Sequence, residues 1–105
     1  MEKYKIKFSK EAKNDYFNII RYIKYDLLEP IIANKYLKLI NEEINKLKYN
    51  PQRFSIVDDI EIKKCYEIHK LIIKNYIVFY RINENNKIVN IERILYGASN
   101  WNSKI

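Results

Sequence analysis

A chain of 105 residues has room for one domain with a single modest core, stabilised without disulfides or metal. Hydrophobic residues at 48% and charged residues at 31% describe an ordinary soluble globular protein, and one cysteine, Cys65, excludes an internal disulfide and fits a reducing compartment. With 20 basic and 13 acidic residues the formal charge is +7, which either draws polyanions and acidic proteins or reflects a chain-wide excess of Lys, Ile and Asn.

The opening Met1-Glu2-Lys3-Tyr4-Lys5 lacks the long apolar run of a signal peptide. No apolar stretch approaches the roughly 20 residues needed to span a bilayer. These features lead us to expect a cytoplasmic protein with no membrane partner, and a single domain over residues 1–105.

Tyr4 to Phe8 alternates apolar and basic residues, as a short strand does. Ser9 follows as a helix cap, because its hydroxyl can accept from an otherwise orphaned amide. Ala12, Tyr16, Ile19, Ile20, Ile23 and Leu27 then fall on one apolar stripe at helical spacing. That helix should stop before Pro30, which suits the first turn of a second helix. Ala33, Leu37, Ile40, Ile44 and Leu47 form the second seam, and Asn50-Pro51 ends it. Two helices joined by a short link should pack as an antiparallel hairpin.

The period then changes. Ile60 and Ile62 suggest a short strand, Tyr66 to Ile73 is rich in strand formers, and Tyr76 to Ile82 is the strongest strand pattern in the chain. Glu84-Asn85-Asn86 signals a turn, Ile88 to Tyr96 reads as a further strand, and Gly97 opens a polar tail. The late strands, closely linked, should be antiparallel. The predicted fold class is α+β, in two layers: an N-terminal strand and a helix hairpin packed on a twisted antiparallel sheet.

Five local features occur in order: Tyr4, Ile6, Phe8 and Ser9; then Ala12, Asp15, Ile19, Tyr22 and Ile23; then Leu47 with Asn50-Pro51; then Asn75 to Arg81; then Ile91 to Gly97. Together they resemble the RelE/ParE toxin superfamily over almost the whole chain. The resemblance implies the same strand, hairpin and sheet. It implies an antitoxin, usually acidic, whose C-terminal segment wraps the toxin in a hetero-oligomer. It also implies one of two activities: cleavage of mRNA on the ribosome, as in RelE-like members, or inhibition of DNA gyrase, as in ParE-like members. A shared fold does not choose between them.

RNA cleavage through the 2′-hydroxyl needs a base, an acid and stabilisation of the phosphorane charge. One His, one Cys and no carboxylate–histidine spacing make no metal-ligand cluster, so no metal or other cofactor is expected. The catalytic candidates are His69, Lys70, Arg93 and Tyr96. His69 is the only histidine. It stands where the family commonly has an arginine that contacts the scissile phosphate. It reads as an acid or base near neutral pH, or as a sheet histidine with a satisfied hydrogen bond. Lys70 would take over the phosphate role on a one-residue shift. Tyr96 either stacks on a base or covers the core edge. Arg93 and Arg81 either face RNA or pair with a carboxylate such as Glu92 or Glu67. Lys74, Arg81, Asn100 and Trp101 complete the expected RNA contacts.

The RNA-cleaving reading, a metal-independent endoribonuclease acting on ribosome-bound mRNA, is preferred here. Basic and aromatic residues gather where the last strands end. A ParE-like gyrase inhibitor without catalytic residues is the alternative, and a weakly toxic member that mainly binds its antitoxin is a third.

Overall fold

The computed structural model describes residues 3–26, 30–54, 56 and 67–97. Within them the chain begins with strand β1 (Lys5–Phe8), whose Ile6 and Phe8 turn inward while Lys5 and Lys7 face solvent. Ser9 then caps helix α1 (Lys10–Arg21) as expected, its Oγ accepting from Ala12 N–H at 2.9 Å. The same hydroxyl donates to the Glu92 carbonyl at 2.7 Å, so the cap also anchors the helix to the sheet.

The first helical stripe extends toward Pro30, but the α-helix gives way at Tyr22–Asp26 to a π-helical turn. Ala12, Ile19 and Ile23 are buried, while Leu27 lies outside the described residues. Helix α2 (Pro30–Asn45) opens with Pro30, where a missing N–H leaves no bond unmade. Its Ala33, Ile40 and Ile44, with Leu47 in the following 3₁₀ turn Lys46–Lys48, are the buried members of the predicted seam, and Leu37 is only partly buried. Tyr16 donates to Asn41 Oδ1 at 3.3 Å, whereas Tyr22 and Ile23 share a cleft with Ile32 and Tyr36. The helices are therefore antiparallel. Asn50 takes a left-handed conformation (φ 53°) before Pro51, a geometry that asparagine tolerates better than most residues.

Three strands follow: β2 (His69–Ile73), β3 (Tyr76–Asn83) and β4 (Ile88–Tyr96). They are antiparallel, as expected. The sheet order is β1-β4-β3-β2, and β1 joins parallel to β4, so the complete sheet is mixed. A parallel join requires a long crossover, which the two helices supply. Strand β2 starts later than the Tyr66–Ile73 run suggested, since Glu67 and Ile68 precede it. Ile60, Ile62, Cys65 and Tyr66 lie outside the described residues, but Ile56 forms an antiparallel bridge with His69.

Alternation along the strands divides the sheet into two faces. Leu71, Ile73, Val78, Tyr80, Val89, Ile91 and Ile94 pack with the helices in one buried cluster. On the other face, Phe79, Leu95 and the preceding Ile68 form a second cluster, with Ile77 against it. A bulge between these layers sets Phe79 opposite Arg93 and Tyr80 opposite Ile91, so that Glu92 is the extra residue.

A polar knot joins the chain start to the β3–β4 turn. Tyr4 donates to Glu84 Oε1 at 2.5 Å, and Gln52 donates to Glu84 Oε2 at 2.8 Å. The Lys87 ammonium lies 5.1 Å from the Tyr4 ring centre. The Tyr4 and Gln52 bonds, together with Lys87, hold the Glu84 carboxyl below its ordinary value of 4.5. A lowered folded-state value stabilises the fold fully above the unfolded value and loses that effect as pH falls through the folded one. Glu84→Gln should therefore be less stable than the wild type at pH 7. The difference should shrink as pH falls below the ordinary carboxylate range, read as urea midpoints over an acid pH series.

Candidate functional site

Asp15 sits midway along α1 and is the most connected polar group of the helical layer. Its Oδ2 accepts from Arg93 Nε at 2.7 Å and from the backbone N–H of Ile94 at 2.9 Å. Its Oδ1 accepts from Arg93 Nη2 at 2.9 Å. The side chains of Arg93 and Asp15 are only 21% and 11% exposed, so this forked pair is largely shielded. The Asp15 hydrogen bonds raise the Arg93 pKa further above its ordinary value, keeping the guanidinium charged and committed to the helix.

Arg81 is likewise engaged. Its Nε donates to Glu92 Oε1 at 2.8 Å, realising one of the two carboxylate partners expected from sequence. The partner of Arg93 is instead Asp15, which sequence reasoning placed in the family pattern without a role.

His69 is 7% exposed. Its Nδ1 lies 2.9 Å from the Phe54 carbonyl, which can only accept, so Nδ1 carries the hydrogen. The ring stacks on Tyr80 with centres 5.2 Å apart and planes 15° off parallel. Tyr80 donates to the Pro51 carbonyl at 2.7 Å, and burial pushes its hydroxyl far above the ordinary value. His69 and Tyr80 thus bind the segment after α2 to the sheet.

The remaining candidates are dispersed. His69 pairs with Tyr80, whereas Tyr96 pairs with Tyr76, so four residues of β3, or about 13 Å, separate their levels along the sheet. His69 and Arg81 line one hollow of about 460 Å³, and Lys74 and Tyr96 another of about 400 Å³. Lys70 lies opposite Phe79, on the face away from the helices. Lys74 occupies the β2–β3 turn with φ 55°. At the far end of this turn Gly97 N–H donates to the Asn75 carbonyl at 2.8 Å. A Cβ on Gly97 would stand 3.3 Å from that carbonyl oxygen, a close approach that suits glycine. Asn100 and Trp101 lie outside the described residues.

A larger concavity lies elsewhere. A cleft of about 620 Å³ opens between the end of α1, the start of α2 and the ends of β3 and β4. Tyr22, Tyr36, Tyr76 and Tyr96 line it. Tyr76 meets Tyr36 edge-on at 6.0 Å and Tyr96 at 5.8 Å between ring centres. Burial first, then the neighbouring phenols of Tyr36, Tyr22 and Tyr96, push the Tyr76 hydroxyl above 10.0, so it keeps its proton at neutral pH. Tyr22, Tyr96 and Ile32 are 48%, 51% and 42% exposed at the rim. Even spacing sets Tyr76 and Tyr80 on one strand face, where both would be expected in the core; Tyr80 is core, and Tyr76 is the partly buried wall of the cleft. Among the described residues no group of His, Cys, Asp and Glu is placed to hold a metal. No helix among them is long and apolar enough to cross a membrane.

One strand, an antiparallel helix pair and a three-stranded meander closing back on the first strand are the fold of RelE/ParE-type toxins. The chain is similar to a chain of the chromosomal ParDE toxin–antitoxin system from P. aeruginosa, with TM-score 0.69 and 18% identity over 89% of this chain and 95% of that one. It is similar to a chain of the RelBE2 toxin–antitoxin complex from Mycobacterium tuberculosis, with TM-score 0.65 and 19% identity over 94% and 97%. A chain of the archaeal RelE–RelB complex from Pyrococcus horikoshii OT3 gives TM-score 0.61 and 14% identity over 91% and 97%. No curated protein sequence matches significantly. The model of the family of ParE toxins of type II toxin–antitoxin systems, parDE, matches residues 6–101, and the chain belongs to that family.

Removing the Asp15 carboxylate would strand both the Arg93 guanidinium and the Ile94 amide. Asp15→Ala should cost about 2–4 kcal/mol in urea unfolding, and Asp15→Asn, which keeps one acceptor, about half as much.

Proposed function

We propose that this toxin acts by binding a protein target, in the manner of a ParE-like inhibitor of DNA gyrase, and that an acidic antitoxin neutralises it in a hetero-oligomer. One contrast carries the reading. Arg93, Arg81 and His69 are bonded to Asp15, Glu92 and the Phe54 carbonyl, while the cleft at the ends of β3 and β4 is lined mainly by tyrosine and isoleucine. Phosphoryl chemistry on RNA calls for convergent cations and an acid–base pair. Aromatic rings at the rim of an apolar cleft suit a protein surface, where tyrosines supply large contact area at low entropy cost.

The match to the ParE family over residues 6–101 supports the same choice. The target would enter against Tyr22, Tyr96 and Ile32, which belong to three different elements and so report its correct packing. The cytoplasm is the compartment in which such a target is met. Ribosome-dependent mRNA cleavage retains one point of support, the hollow that Lys74 and Tyr96 share.

Purified toxin should inhibit gyrase supercoiling. Tyr96→Ala and Tyr22→Ala should each weaken inhibition roughly tenfold or more, with thermal midpoints near the wild type because both rings are half-exposed. Overexpression should leave mRNA ends unchanged. New mRNA ends that require ribosomes, together with unimpaired supercoiling, would reverse the reading in favour of the endoribonuclease.

A further inference from the structure

Among the described residues, three that are not glycine have positive φ: Asn50, Lys74 and Lys87. Asparagine tolerates that region. Lys87 uses its side chain inside the fold, 5.1 Å from the Tyr4 ring centre and 3.7 Å from Glu84 Oε1. Lys74 is the first of the two residues that join β2 to β3, since Ile73 pairs with Tyr76. Of these two only Lys74 has positive φ, at 55°. A two-residue hairpin turn with that pattern ordinarily takes glycine at its first position, because a Cβ there strains the backbone. Yet the Lys74 side chain is exposed and joins no hydrogen bond, ion pair or ring contact among the described residues. A strained residue whose side chain meets nothing within the fold points outward, to use against a partner.

The surroundings of Lys74 say what kind of partner. It is the only charged residue lining the hollow of about 400 Å³ at the hairpin end. Ile72 and Ile77 stand opposite one another there, on the sheet face away from the helices, and Ile72 is 64% exposed. A Cβ on Gly97 would lie 3.8 Å from the Ile77 side chain, so glycine keeps the floor open. Asn75 and Tyr96 line this hollow and the tyrosine cleft alike, so the two concavities meet along a shared wall. Tyr96 therefore stands between an aromatic cleft on the helix side and an isoleucine hollow with one cation on the other. Surfaces that track nucleic acid set several cations against successive phosphates. A single charge beside apolar contact area is the composition of a protein interface near its rim.

We infer that this hollow is a second lobe of the target seat, in which Lys74 takes a carboxylate of the gyrase surface while Ile72 and Tyr96 cover an apolar side chain beside it. This rests on the reading of the toxin as a gyrase inhibitor. Lys74 is then a specificity-determining residue: the tight two-residue turn holds its ammonium at the hairpin tip, beside the ring that both lobes share. The same inference explains why the turn keeps lysine where glycine would fold at least as well. An RNA phosphate could meet the same ammonium, but it would leave Ile72 and Ile77 uncovered.

The test uses the full-length toxin and purified gyrase in a supercoiling assay at low and high salt, with urea midpoints measured in parallel. Lys74→Gly should unfold at the same urea concentration as the wild type or a higher one, yet inhibit roughly tenfold less. Lys74→Arg should restore most of the inhibition, and Lys74→Glu should fall below Lys74→Gly because like charges repel. Wild-type inhibition should weaken as salt rises, and Lys74→Gly should show less of that dependence. Equal inhibition by the wild type and Lys74→Gly would overturn the proposal. So would a Lys74→Gly that unfolds more readily, since the turn would then not be strained. Ribosome-dependent mRNA ends that Lys74→Gly removes, with supercoiling unimpaired, would assign the ammonium to a phosphate and overturn the carboxylate. A wild type that fails to inhibit gyrase removes the target reading itself. A wild type that inhibits no better than Lys74→Gly removes this inference alone, so the two failures are distinguishable.

Discussion

The helical layer is held in register on the sheet by one carboxylate. β1 covers β4 only along Ile88–Ile91, and beyond that point β4 would present an uncovered edge. Helix α1 passes there, and Asp15 accepts the Ile94 N–H that a neighbouring strand would otherwise take. A carboxylate shielded to this degree needs a counter-charge, and the forked Arg93 guanidinium provides it. The bulge at Glu92 makes the arrangement possible. With two residues opposite Phe79, Glu92 reaches Arg81 across the sheet while Arg93 reaches α1. Ser9 fixes the start of the same helix by bonding the Glu92 carbonyl. The walls of the tyrosine cleft inherit their spacing from these bonds, because Asp15, Ile19 and Tyr22 line one side and Ile94 to Tyr96 the other.

Much of this architecture was legible because it is periodic. The described parts of the two helical seams, the Ser9 cap, the Asn50-Pro51 stop and the three antiparallel strands each follow from spacing within a short window, although α1 turns π-helical at Tyr22 and β2 begins only at His69. What could not be read depends on partners far apart in sequence. Asp15 and Arg93 are separated by 78 positions, and no local pattern announces their pairing. The parallel join of β1 to β4 is hidden for the same reason. The bulge is hidden too, because it changes which side a residue serves without changing residue type.

The candidate site shows the same limit more sharply. His69 admitted both a chemical and a structural reading from sequence, and the partners it has, the Phe54 carbonyl and the Tyr80 ring, come from other segments. Parity along β3 put Tyr76 and Tyr80 on one face. Only the positions of the helices separate them, Tyr80 being covered and Tyr76 left at the margin with Tyr36 and Tyr96. Four tyrosines at positions 22, 36, 76 and 96 form no motif, yet they make the principal aromatic concavity among the described residues.

Net positive charge alone would suggest one basic face meeting one polyanion, but the distribution argues for a division of labour. Arginine, whose planar fork suits shielded carboxylate pairs, ties α1 to the sheet at Arg93, and the more exposed Arg81 pairs with Glu92 across the strands. Lysine, strongly hydrated and flexible, occupies the margin at Lys3, Lys5, Lys7 and Lys48. The charge near β1 is therefore exposed, whereas the cleft near Tyr96 offers aromatic contact area. Electrostatic attraction accelerates encounter, and buried aromatic contacts slow release. The exposed cations beside β1 and the aromatic contact area thus have separate places on a single sheet.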